Sequence, residues 1–460
     1  MIPENDMSLK KSISRLVSEE IFYKAVLIML VGLPIVELIT EVLCNYTELL
    51  IPSFFQPQII SLFGIFGTFL TILYWLTLPK EKRKLRIADI FYITLLFFMV
   101  ISAVFSLNPG VYSAGYPFYC EHPLHFLAYY WLYFAGTLID KKQYRKNILY
   151  AFTGVALLEG VFAFLQTYDI ELSYSLYYHA ERTAYGLTQN SNFYGGMCVI
   201  FVAAVSGMYI FADHIVDAKI KEYGLLAVAA FLFYTLLGSR ARLAWIGIAA
   251  LIVFYFVSLL IMYKKAKDKK VIKAAIKRAL ILLGAYVVVF GIAFFFTDYI
   301  SEVMVRSYWE VANGDVEKMG TDRIYNWKMG LSNVPAHWLT GVGLDNYRYV
   351  FISAPDYKEG MYLQDKAHNE YIHILVTQGV PSLINYLALL IVTATHTVKN
   401  IIKETAPEKR ALAWTFLGMF IAYCAQALFN SSVNYVVIYF WLTIGLIAPR
   451  GVIKVNKSYN

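Results

Sequence analysis

The stretch AHNEYIHILVTQGV, residues 367–380, sets His368 and Asn369 at the mouth of a helix-length apolar run. An imidazole exchanges protons near neutral pH, so His368 is the residue best suited to act as a base. Four arginines fall in polar segments of the same kind. Arg182 lies in 168–192, Arg240 and Arg242 form the GSRAR corner, and Arg323 lies in 298–369. A guanidinium is always charged and presents a planar fork of donors, which suits phosphate or diphosphate oxygens. A proton acceptor beside several such forks fits chemistry on a phosphorylated substrate. The plainer alternatives are pairing of Arg182 with Glu181 and of Arg323 with Asp322, contact with lipid headgroups, or a hydrogen-bonded interfacial histidine.

Asn190, Asn192, Asn369 and Tyr347 are the candidate substrate contacts. The two asparagines of TQNSN precede an apolar run and read equally as polar ligands or helix caps. Tyr347, Tyr349, Phe351, Tyr357 and Tyr362 precede His368, where aromatic faces could stack on sugars or anchor the chain at a membrane interface. His122, His125 and His373 lie near helix ends and read as structural, while His179 and His337 lie in polar segments. Glu37 and Glu159 sit inside apolar runs, where a carboxylate is costly and where a transporter would place one.

These residues need a membrane scaffold to position them. Of 460 residues, 59% are hydrophobic and 16% charged, and the mean hydropathy is +0.54. Spanning the hydrocarbon takes about 20 apolar residues in a helix. Such runs occur at 22–44, 58–77, 88–106, 123–139, 147–167, 193–212, 223–238, 242–263, 276–297, 370–393, 411–428 and 433–449. The expectation is an all-α polytopic protein of about 12 transmembrane helices, with 1–460 forming a single membrane domain. KEKRKLR, KKQYRK, KKAKDKKVIKAAIKR and the run ending EKR fall in alternate loops, placing both termini in the cytoplasm. The net charge of +8 is this bias and needs no nucleic-acid partner. The N-terminus has no cleavable signal pattern, so the first span serves as its own insertion signal. Cys44 and Cys120 fall at the outer face, where a bridge could form.

The 298–369 segment exceeds any simple connection and is expected to be a long extracytoplasmic loop bearing functional elements. Within it, Ile324, Trp327 and Leu331 make one helical stripe, suggesting an amphipathic helix on the membrane surface. WLTGVGLDNYRYVF follows, with Gly341 and Gly343 permitting a turn that packs over the site. A phosphate loop, a DxD motif and a metal-ligand cluster are absent from the sequence, so no cofactor is expected.

The segments YGLTQNSNFYGG, GSRARLAWIG, DRIYNWKMGL followed by GVGLDNY, and HNEYIHILVTQGV occur in an order and a twelve-span setting that resemble the bacterial O-antigen ligase and O-antigen polymerase superfamily. The likeness is strongest from Arg182 to Tyr386; VPSL after Gly379 departs from the ending often seen in ligases. The resemblance implies a GT-C-like fold in the bacterial cytoplasmic membrane. It implies a metal-independent glycosyltransferase that moves glycan from an undecaprenyl-diphosphate carrier to a hydroxyl on a glycan, lipid or protein acceptor. It makes His368 the essential histidine and Arg240 and Arg323 the diphosphate-binding arginines, with Arg242 a second candidate at the corner. Polymerase and ligase stay open, and so does a flippase or transporter without transferase activity, which would need Glu37 and Glu159 and tolerate loss of His368.

Overall fold

Long apolar runs become helices because hydrocarbon offers the backbone no partner outside its own segment. The computed structural model describes residues 17–47, 55–79, 83, 85–108, 123–172, 181–265, 269–312, 319–352 and 363–448. It is 80% helical, with no strand among the described residues. The order is α1 (Glu19–Thr47), α2 (Phe55–Thr77), α3 (Ile87–Val104), α4 (Pro123–Leu138), α5 (Lys142–Gln166), α6 (Ser191–Ile210) and the short α7 (Ala212–Ile215). Then come α8 (Lys219–Gly238), α9 (Arg242–Lys265) and α10 (Lys270–Phe296). The long polar segment holds α11 (Tyr299–Ala312), α12 (Met319–Ser332) and α13 (Tyr349–Ile352), and the chain closes with α14 (Glu370–Lys403), α15 (Pro407–Gln426) and α16 (Asn434–Ile447).

Each of the twelve apolar runs is a helix. Among the described residues, nine (α1, α2, α3, α5, α6, α8, α9, α10 and α14) are long and apolar enough to cross a membrane. The remaining three fall short of that measure over their described residues. α4 has 16 described residues and α16 has 14, and α15 begins with the charged turn Glu408, Lys409, Arg410. The Cys44–Cys120 bridge falls on side chains outside the described residues, as do His122, His179, Tyr357 and Tyr362.

The bundle is organised around α6, whose apolar window is wholly buried. It packs against α15, α8, α9, α5 and α16, while α4 lies between α2 and α16 and α3 lies along α14. This central helix reads as apolar on every side, as a helix with no lipid-facing stripe must.

The main irregularity is a break in α14, where Gly379 adopts φ +84° and Pro381 follows. Proline has no N–H, so the Thr377 carbonyl loses its helical donor. Gly343 N–H (2.9 Å) and Ser102 Oγ (2.7 Å) donate to it instead. Val380 N–H turns to the Trp338 carbonyl (2.7 Å), and Val342 N–H takes up the freed Val376 carbonyl (2.9 Å). The 338–343 turn is thus stapled into the broken helix. Gly341 makes this approach possible: its φ is +68°, and a Cβ there would lie 2.2 Å from the Thr377 carbonyl carbon. The two-glycine stretch is a turn, as expected, and it docks on α14.

Candidate active site

His368 occupies the connection immediately before α14, with Asn369 as the helix cap: the Asn369 side chain accepts from Ile372 N–H (3.0 Å). The histidine is half-buried with φ 51°, in the left-handed region that non-glycine residues rarely enter. Two contacts fix that backbone. His368 N–H donates to Ser431 Oγ (3.0 Å), and the preceding residues are gripped by α12.

The grip is specific. Asn326 Nδ2 donates to the Lys366 carbonyl (2.9 Å) and Trp327 Nε1 to the Ala367 carbonyl (2.7 Å). Arg323 lies three and four residues before them, on the same helical face. The stripe expected to lie on the membrane surface therefore has another task at Trp327, which faces the His368 segment, because its indole N–H meets a carbonyl there that would otherwise lack a donor.

Arg323 carries no hydrogen bond or ion pair among the described residues. Burial, and next the charge of Arg242, push its pKa down to about 10; Glu310 opposes the shift and Arg306 adds to it. Arg242 is held by Glu310 through two bonds of 2.8 and 3.1 Å and by Ser307 Oγ (3.1 Å), while Arg306 pairs with the same carboxylate at 3.5 Å. Arg242 and Arg306 thus share the Glu310 carboxylate, and Arg323 lies within the field of all three groups. The His368 pKa is pushed down to about 4, first by burial and then by Arg323, His373 and Lys366. At neutral pH the imidazole is uncharged and has a lone pair for a proton, which revises the expectation of titration near pH 7.

The other candidates divide. Arg240, φ 54°, pairs with Asp298 (3.3 Å) and Glu302 and lies over the Tyr299 ring. Arg242, not Arg240, is the corner arginine whose charge acts on Arg323. Arg182 is exposed and paired with Asp169 at 3.5 Å.

Residues 227–387 match the family model described as O-Antigen ligase. Over these residues the chain is similar to the O-antigen ligase/polymerase superfamily. No curated protein matches it. The matched segment runs from α8 into α14 and contains Arg240, Arg242, Arg323, Tyr347, His368 and Asn369; Arg182, Asn190 and Asn192 precede it.

Ahead of the matched segment, Asn190 is the α6 cap, accepting from Asn192 N–H (2.9 Å). The Asn192 carbonyl accepts from Asn430 Nδ2 (3.4 Å), and Ser431 next to it holds His368, so the 430–431 turn links the α6 start to the histidine. Tyr347 is 0% exposed and donates to the Asn326 carbonyl (2.9 Å). Its ring packs against His373, and its hydroxyl braces α12. The intramembrane carboxylates anchor the segment before α6: Glu159 accepts from Leu187 N–H (2.9 Å) and Glu41 from Gln189 Nε2 (2.6 Å).

Sequence reasoning missed Asn326, Ser431, Glu302 and Glu310. The spacing of Glu302, Arg306 and Glu310 was a signal, since residues four apart share a helix face. Ser431 gave none, standing 63 residues from the group it holds.

Proposed function

We propose that this protein transfers glycan from an undecaprenyl-diphosphate carrier to an acceptor hydroxyl, on the extracytoplasmic side of the bacterial cytoplasmic membrane, in surface-polysaccharide assembly. The observation that carries the reading is Arg323, a partly buried guanidinium without an ion pair among the described residues, in the electrostatic reach of both Arg242 and a neutral His368.

The chemistry follows from charge. The sugar C1 already bears a good leaving group, so the protein must align the attacking hydroxyl and receive the departing negative charge. Arg323 and Arg242 bind the diphosphate oxygens, and Arg242 exchanges Glu310 for them. The acceptor oxygen forms its bond to C1 as the C1–O bond to diphosphate breaks, and that electron pair stays on the diphosphate. The hydroxyl proton passes to the His368 imidazole and then to water. Direct displacement inverts the anomeric centre. The reading is metal-independent, because two guanidiniums supply the positive charge.

Binding also tunes the base. A bound diphosphate offsets the Arg323 charge, so protonation of His368 becomes easier when the donor is in place. A positioned general base contributes about 10²- to 10⁴-fold.

The test is transfer by the protein reconstituted in vesicles with undecaprenyl-diphosphate oligosaccharide and candidate acceptors, comparing wild type with His368→Ala. Released carrier diphosphate with a product ladder identifies a polymerase; a single transfer to a distinct acceptor identifies a ligase. Normal transfer by His368→Ala, or movement of intact donor across the bilayer without cleavage, refutes the reading.

A further inference from the structure

The helix α11 has two faces with different tasks. On one, Val303 is buried, Glu302 pairs with Arg240, and two turns later Glu310 holds Arg242. The helix therefore straps the 240–242 corner at both arginines. On the other, Met304, Val305, Tyr308 and Trp309 are 55–66% exposed and fall on one continuous arc at helical spacing.

Four large apolar side chains so open to their surroundings need a partner. The preceding segment indicates which one. α10 is a membrane-crossing helix, and its last turn, Phe294, Phe295 and Phe296, is exposed apolar surface of the lipid-facing kind. α11 starts three residues later, at Tyr299, so its apolar arc continues that lipid-facing surface at the end of the span. Tyrosine and tryptophan are the side chains best suited to that level, with apolar rings and a polar edge.

We propose that α11 is seated in the bilayer leaflet on the long-loop side, with its Met304–Trp309 face among lipid acyl chains. Its opposite face then fixes Arg240 and Arg242 near the depth of the lipid phosphates. The seating stands independently of the transfer reading. The consequence that a lipid-linked donor meets Arg242 without leaving the leaflet rests on that reading.

The experiment uses the full chain in vesicles containing brominated phosphatidylcholine. Trp309 emission is isolated as the difference between wild type and Trp309→Phe, a mild change at an exposed position. The expected result is at least twofold quenching of that component by lipid bromines, with little loss to aqueous iodide. Greater loss to iodide than to bromolipid overturns the proposal. As a second measurement, Val305→Glu should raise the KM for a full-length polyprenyl donor about tenfold, leaving kcat and the KM for a short-chain, water-soluble donor unchanged. Equal rises for both donors overturn the depth argument. Absence of transfer by wild type would defeat the transfer reading while leaving the quenching result intact.

Discussion

Arg323 should affect stability with opposite signs in the free and the loaded protein. Its pKa is lowered from the usual arginine value to about 10, with burial as the first cause and Arg242 the second. At about 1.36 kcal/mol per unit, this disfavours the charged form by about 3 kcal/mol, and residual solvent contact reduces the working figure to about 1–2 kcal/mol. The folded pKa lies below the unfolded value, and arginine is charged in both states at neutral pH. The penalty is therefore present throughout the physiological range and is relieved only as pH rises through about 10 toward the unfolded-state value. Arg323→Met keeps an apolar stem of similar length and removes the charge. The ligand-free variant should melt a few degrees above wild type. Inorganic pyrophosphate should reverse the order, because saturation at a hundred times Kd stabilises the binding-competent protein by about 2.7 kcal/mol. Thermal unfolding in nanodiscs, with and without pyrophosphate, reads both effects. A lower melting temperature for the ligand-free variant, or equal pyrophosphate responses, would refute the view of Arg323 as an unpaired charge that awaits an anion.

Three further outcomes are expected. The acid limb of kcat/KM, which reports the free enzyme, should lie near pH 4 as activity is lost on protonating His368, and Arg323→Gln should move it up toward the unperturbed histidine value; a limb that stays or moves down contradicts the electrostatic link. Asn326→Ala and Trp327→Phe each deprive a carbonyl beside His368 of its donor, at about 1–3 kcal/mol if that group stays buried. Steady-state kinetics should show kcat falling with donor KM nearly unchanged, and a change confined to KM would argue against positioning of the histidine. Gly341→Ala should lower the melting temperature sharply through its positive φ and the 2.2 Å approach to Thr377, whereas Gly284→Ala, inside α10 with nothing within 4 Å of the added carbon, should leave it unchanged or slightly raised.

What could be read along the chain was what depends on near neighbours. Apolar runs of span length located the bundle, since each such helix satisfies its backbone alone. Asn190 was readable as a cap, because a cap bonds to an amide two or three residues on, whereas Asn369, expected as a substrate contact, caps α14. The Arg323–Trp327 stripe was readable as a helix face, but what that face meets was not. The spacing of Ile324, Trp327 and Leu331 is the same whether the partner is lipid or the 366–367 backbone, and only packing chose the latter at Trp327. Likewise only folding shows that Tyr347 is buried against α12. The different surroundings of Arg240 and Arg242 also belonged to the tertiary structure. Two arginines of one type, two residues apart, are distinguished only by which carboxylates of α11 reach them and which of them shares a field with Arg323. Sequence alone determined the membrane scaffold and the residue types able to do the chemistry. Tertiary structure decided their partners, because Arg242 and Glu310 are 68 residues apart, His368 and Ser431 are 63 apart, and such contacts leave no periodicity along a chain.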